Sequence, residues 1–494
     1  MSSEKDSYKQ IFKATSVFGG VQVFSIIINL IKSKVIAVFL GTEGMGIYSL
    51  LQNPVNLISQ ISSLGLNSSG IRDVAQNSED KVEFSKTVVT VKSWTRVTGL
   101  IGALFLFIMA PIISQWTFGN SEYSLDFRFL SLSVFLLAIG YENEIILKGR
   151  RRIVSVGKAG VFSATCSLII SIPLYYFFKI NGIVAVLIIT NLLIFLFNHH
   201  YARKEKILSV SLSKKEIFLR GKIMASLGSM MVLSSVVETL TMYCVNLFIR
   251  IYGNMADVGL FQAGMQITNI SLGLVFTAMA GDYYPRLAAI CKDRNKANEL
   301  VNQQAEIAAL ISTPILLGMI TFCPLFIRIF LSAEFLPVQN LICWLLLSAS
   351  LRSSTWTIHY VLLANADTKS FFWLVLMTNG LLLVFYPLGY YLLGLEGLGI
   401  GYLTMIIING IVMYLFINKK YNISYCNNFV KLLLISILVC LISFLLFQFI
   451  DGWLMYLINL SIFFLVLLFC MKELNDRVEF LAFIKKYGKS RYNE

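Results

Sequence analysis

Four basic residues lie in or beside stretches that are otherwise apolar. Lys32 sits about eight residues, or about 12 Å at helical rise, from the C-terminal end of the stretch 14–40, too deep to lift its ammonium easily into water. Arg352 lies near the middle of 338–362, on one helical face with Thr355, Trp356 and His359. With Lys34 and Arg250 nearer the ends of their stretches, these cations suit an anionic ligand. Diphosphate is the obvious one, because ammonium and guanidinium groups make charge-assisted bonds to phosphate oxygens. Amides and hydroxyls accompany them at helical spacing. Ser25, Asn29 and Lys32 share one stripe, and Asn53, Asn56, Gln60, Ser63 and Asn67 form another. Gln262, Gln266 and Asn269 repeat the pattern further on. Such groups suit sugar hydroxyls, or simply bond helix to helix. Glu238, Glu142 and His359 are the remaining ionisable candidates, for ion coupling or for a place in the cavity wall.

The elements that must carry these groups follow from composition. Of 494 residues 57% are apolar and 14% charged, which is too little polar surface for a water-soluble globule. Hydropathy marks fourteen blocks of bilayer-spanning length: 14–40, 46–66, 93–115, 127–147, 157–178, 182–201, 223–249, 257–281, 303–326, 338–362, 370–391, 396–417, 429–449 and 453–471. The expected fold is therefore an all-α polytopic membrane protein. The net charge of +14 would in a soluble chain suggest nucleic acid. Here most of the 41 Lys and Arg fall in the N-terminus, in the loops after even-numbered spans and in the C-terminus, with Lys148 and Arg150 to Arg152 the clearest cluster. The positive-inside rule then places both termini in the cytoplasm and leaves no call for a nucleic-acid partner. The first block is too long for a signal peptide and is read as a retained span. Eight scattered cysteines show no metal-binding spacing, and no nucleotide-binding loop occurs, so neither metal, cofactor nor ATP-driven transport is expected.

Two halves resemble each other. The segment Phe39 to Tyr48, with Gly41 and Gly46, lines up with Ile251 to Phe261, with Gly253 and Gly259, and Arg72 lines up with Arg286, at offsets of 212 to 214 positions. Parallel repeats related by an axis along the membrane normal are expected: 1–202 as the first six-span lobe, 203–222 as a basic linker, 223–418 as the second lobe, 419–471 as two added spans and 472–494 as a cytoplasmic tail, amphipathic around Val478, Leu481 and Ile484.

The run from Lys32 to Tyr48, with its basic residue nine before Gly41 and a short turn before Gly46 and Tyr48, resembles the first-span signature of polysaccharide flippases, and Leu64-Gly65-Leu66 leading to Arg72 is similar to theirs. The chain is identified as a member of the multidrug, oligosaccharidyl-lipid and polysaccharide exporter superfamily, most similar to O-antigen translocases. That resemblance implies a V-shaped bundle in the bacterial inner membrane. It also implies that the chain, a monomer, flips an undecaprenyl-diphosphate-linked oligosaccharide from the cytoplasmic to the periplasmic leaflet by alternating access, alongside a polysaccharide polymerase and a chain-length regulator. Lys32 falls on the family's cavity-facing basic position and Arg250 on that of the second half. The matching place in the first half is Val38, with Lys34 as its substitute. Two other functions compete. An ion-coupled exporter of drugs or organic cations would use an acidic pocket, and a membrane glycosyltransferase or polymerase would need carboxylates or histidines on large loops, which this chain lacks.

Overall fold

The computed structural model of the chain describes residues 2–450 and 452–478, and among them every regular element is helical. In order these are α1 (Ser2–Ser63), α2 (Leu66–Gln76), α3 (Lys81–Phe118), α4 (Ser124–Gly149), α5 (Ile153–Phe178), α6 (Gly182–Ala202), α7 (Lys214–Tyr252), α8 (Met255–Ile290), α9 (Arg294–Thr321), α10 (Cys323–Phe330), α11 (Gln339–Ser350), α12 (Arg352–Ala364), α13 (Thr368–Tyr421), α14 (Asn427–Phe449) and α15 (Trp453–Val478). Among the described residues, 10 helical segments are long and apolar enough to cross a bilayer, or 11 if the two parts of α8, bent by 47°, form one.

Fourteen were expected, and three of the segments counted are the longest. Val23–Ser63, Ile153–Ala202 and Thr368–Tyr421 run 41, 50 and 54 residues. At 1.5 Å per residue they would measure about 60–80 Å, against about 30 Å of hydrocarbon. Each is broken near its middle: at Gly41 (φ 68, ψ −166), at the short turn Lys179–Asn181, and at Gly394 (φ 61, ψ −140). A side chain at that backbone conformation would be strained, which is why glycine serves. In α13 the chain then doubles back. Tyr386 stacks on Tyr402 at 5.7 Å, and the Thr378 hydroxyl donates to Asn409 at 2.8 Å, the pairing of an antiparallel hairpin. α5 and α6 pair the same way through Ser167 and Thr190 (2.6 Å) and Phe162 and Phe197 (5.9 Å). The expected span 338–362 is broken after Leu351, so Arg352 opens α12.

The chain packs as two units. The first is Met1–Gln262 with Phe330–Glu334, and the second is Ala263–Ile329 with Phe335–Glu494. In the first, Val74, Val88, Val91 and Ile146 form a dry core between α2, α3 and α4. The linker following α6 is tied to this unit, since Arg150 and Arg152 both bond Glu205, at 3.1 and 2.7 Å. Burial disfavours the charge of Glu205, but the Arg152 and Arg150 guanidiniums outweigh it and hold the carboxyl below its ordinary range. In the second unit Tyr283, Val301, Ile358, Leu362 and Ile417 form the core. There α9 runs parallel to α14, joined by Asn302 to the Ser424 carbonyl (2.8 Å) and by Thr313 to Ser436 (2.8 Å). Large apolar side chains such as Ile108, Trp116, Phe177 and Leu465 face outward, as hydrocarbon requires. Of the expected tail, the part carrying Leu481 and Ile484 lies outside the described residues.

Candidate functional site

Within the first unit, the arm of α1 after Gly41 carries Asn53, Asn56 and Gln60 alongside α7. Gln60 accepts from the Thr239 hydroxyl at 3.0 Å, and further along Gln262 donates to Asn246 at 2.9 Å. The side-chain amides of Asn53 and Asn246 are buried with no acceptor among the described residues. A buried donor left so costs about 1–3 kcal/mol, so a water, an ion or a ligand is expected to meet each of these groups. The polar stripes are therefore only in part helix-to-helix bonding. On the other arm Asn29 is exposed, its carbonyl accepting from Ser33 at 2.9 Å.

The four expected cations separate into two kinds. Lys32 is half-buried and makes no hydrogen bond or ion pair among the described residues. Arg352, in the second unit, is also without an ion pair there, its guanidinium lying 5.8 Å from the Phe276 ring centroid. Lys34 instead donates to the Leu331 carbonyl. Arg250 donates to the Trp116 carbonyl at 3.0 Å, capping the last turn of α3 beside Gly119. Those two are engaged by backbone, because each stands where a helix end leaves carbonyls unpaired. Glu142 departs from the expectation in a similar way. It is 1% exposed, and Arg96 holds it with two bonds of 3.0 and 2.8 Å, so it joins α3 to α4 instead of facing a cavity. Glu238 is exposed on α7 and unpaired among the described residues. In the second unit Gln266 is half-buried and bonded, Asn269 is exposed, and the His359 ring packs edge-on to Phe371 at 4.9 Å.

Three features of the first unit escaped sequence reasoning. The Glu334 carboxylate accepts from the Thr42 hydroxyl (2.9 Å) and amide (3.3 Å), where α1 restarts after Gly41. The backbones of α1 and α8 touch: a Cβ on Gly46 would lie 2.0 Å from the Met255 carbonyl oxygen, and one on Gly259 would lie 1.9 Å from that of Thr42. Thr42 and Met255, like Gly46 and Gly259, are equivalent positions of the internal repeat, so this contact is exchanged as across a local two-fold axis. The repeated glycines were the available signal. Third, a cavity of about 360 Å³ opens between α1, α2, α4 and α7 at the end of the unit that bears Lys148.

A family model described as polysaccharide biosynthesis protein matches residues 35–340, more than half of the chain. The chain belongs to that family. A Shigella flexneri protein whose name proposes it as an O-antigen transporter is 24% identical over 303 residues, covering 60% of this chain and 71% of that protein. Among solved structures, the lipid II flippase MurJ in an inward closed conformation matches with a TM-score of 0.74 at 16% identity, over 93% of this chain and 99% of that one. An inward-facing multidrug transporter of the MATE family, of the MOP superfamily, matches at 0.66 and 17%, over 81% and 94%. The family member thus shares its fold with these two solved transporters.

Proposed function

We propose that this chain flips an undecaprenyl-diphosphate-linked oligosaccharide, a repeat unit of O-antigen or a similar surface polysaccharide, from the cytoplasmic to the periplasmic leaflet of the bacterial inner membrane. The observation that carries the reading is Lys32: a half-buried ammonium within a span, with no counter-charge among the described residues. An uncompensated cation in hydrocarbon is costly unless an anion visits it, and a diphosphate is such an anion. Lys32 and Arg352 bind the diphosphate, and Asn53, Asn56, Gln60, Gln262, Gln266, Asn29 and Asn269 serve the glycan. Membership of a polysaccharide biosynthesis family, a relative named for O-antigen transport and a flippase fold neighbour support this reading. Taking each of the three over-long segments as two crossings brings the eleven to fourteen, with two parallel six-span repeats, two added spans and both termini in the cytoplasm, where Lys148 and Arg150 to Arg152 lie. The chain works as a monomer by alternating access, handing its product to a polymerase and a chain-length regulator.

Glu238 favours one alternative, an exporter of organic cations, because an unpaired carboxylate in a span would attract them. Surface polysaccharide in a strain lacking this gene and complemented with variants separates the two. Lys32→Ala and Arg352→Ala abolish export, while Lys34→Ala and Arg250→Ala retain it at matched expression. Intact export in the first pair together with lost dye efflux overturns the flippase reading.

A further inference from the structure

We propose that the cavity at the Lys148 end of the first unit is a subsite for a neutral sugar, a hexose or acetamido hexose, attached to the diphosphate of the lipid carrier. This deepens the flippase reading and rests on it. The volume of about 360 Å³ falls within the about 300–1,000 Å³ of small-molecule sites. One wall is Gln60, Ser63, Asn67 and Ser68, at the junction of α1 and α2, and α7 adds Ser235. The amide nitrogen of Gln60 and the side chains of Asn67 and Ser68 make no bond among the described residues, so they are available to a ligand. Amides and hydroxyls both donate and accept, which is what sugar hydroxyls and an acetamido group require. Tyr141 adds a ring against which the C–H face of a sugar can rest.

Charge narrows the ligand class. The charged groups of the lining are Glu144 and Lys148, paired at 2.5 Å one turn apart on α4, so the wall has no net charge. The paired Glu144 and Lys148 offer no net attraction to a diphosphate, a uronic acid or an organic cation. A neutral polyol needs no such attraction and can hydrogen-bond to both groups. At one edge the backbones of Gly65 and Gly228 touch, a Cβ on Gly65 falling 2.4 Å from the Gly228 carbonyl carbon. Gly65 lies between Ser63 and Asn67, so this contact of the α1–α2 turn with α7 closes one edge of the cavity.

The test uses the full chain in lipid nanodiscs and three probes: undecaprenyl diphosphate, the same lipid bearing one N-acetylglucosamine, and the same lipid bearing one glucuronic acid. For the unaltered chain, the N-acetylglucosamine lipid binds about tenfold more tightly than the bare lipid, the effect of one to two net hydrogen bonds. Ser68→Phe, which fills the cavity, and Asn67→Leu reduce that preference to within about twofold and leave bare-lipid affinity unchanged. Glu144→Gln, which frees Lys148, strengthens binding of the glucuronic acid lipid alone, about fivefold or more at the site's intermediate dielectric. Equal affinity of the unaltered chain for bare and sugar-bearing lipid overturns the subsite, as does an equal loss of both lipids in the cavity variants. Failure of every lipid to bind the unaltered chain overturns the flippase reading and the subsite with it.

Discussion

Replacing Gly46 or Gly259 by alanine tests the closest backbone contact in the first unit. The added methyl of Gly46→Ala falls 2.0 Å from the Met255 carbonyl oxygen, and that of Gly259→Ala falls 1.9 Å from the Thr42 carbonyl oxygen. Ordinary contact begins at 3.4 Å, so α1 and α8 must separate by more than an ångström. The obstacle is main chain on both sides, which no rotamer change can clear, so the cost belongs at or above the upper end of the about 1–3 kcal/mol typical of overpacking. Each single variant should lower the thermal midpoint of the detergent-purified protein by about 5 °C or more, since 1 kcal/mol moves a 150–250-residue unit by about 2–4 °C. The two contacts lie at one crossing, so the separation that admits one methyl admits the other. The double variant should therefore cost clearly less than the sum of the singles, a coupling measured by the double-mutant cycle. Either single variant unfolding within 1 °C of the parent, or strict additivity, would refute the shared crossing.

Arg96→Ala should destabilise by about 3 kcal/mol, because it strands the buried Glu142 carboxylate, whereas Glu142→Gln keeps an acceptor for Arg96 and should cost less than half as much. Equal losses in chemical denaturation would mean that the pair contributes only packing. The linker following α6 should loosen in acid. The folded carboxyl of Glu205 is held below the ordinary value of about 4.3, so its stabilisation is complete above that value and is lost as pH falls through the folded one. Hydrogen exchange at residues 203–208, corrected for intrinsic rate, should accelerate as pH falls below the ordinary carboxyl value in the parent and not in Glu205→Gln. An unchanged parent would remove Glu205 from the anchor.

Composition and periodicity were enough to specify a helical membrane protein, because hydrocarbon accepts little besides helices and makes each buried charge conspicuous. They could not pair Glu142 with Arg96, since pairing depends on how α3 and α4 turn toward each other. The same holds for the cations. Lys32 and Lys34 are two residues apart, and only their neighbours in space make one an unpaired ammonium and the other a donor to the Leu331 carbonyl. Arg250 likewise became a cap for α3 because the Trp116 carbonyl, far away in sequence, ends its helix there. The cavity beside Gln60 and Asn67 draws its walls from four helices, so no single stretch of sequence could announce it. Local chemistry, read along the chain, determined which groups the membrane must accommodate. Tertiary packing decided which of them are satisfied by protein and which remain free to meet a ligand.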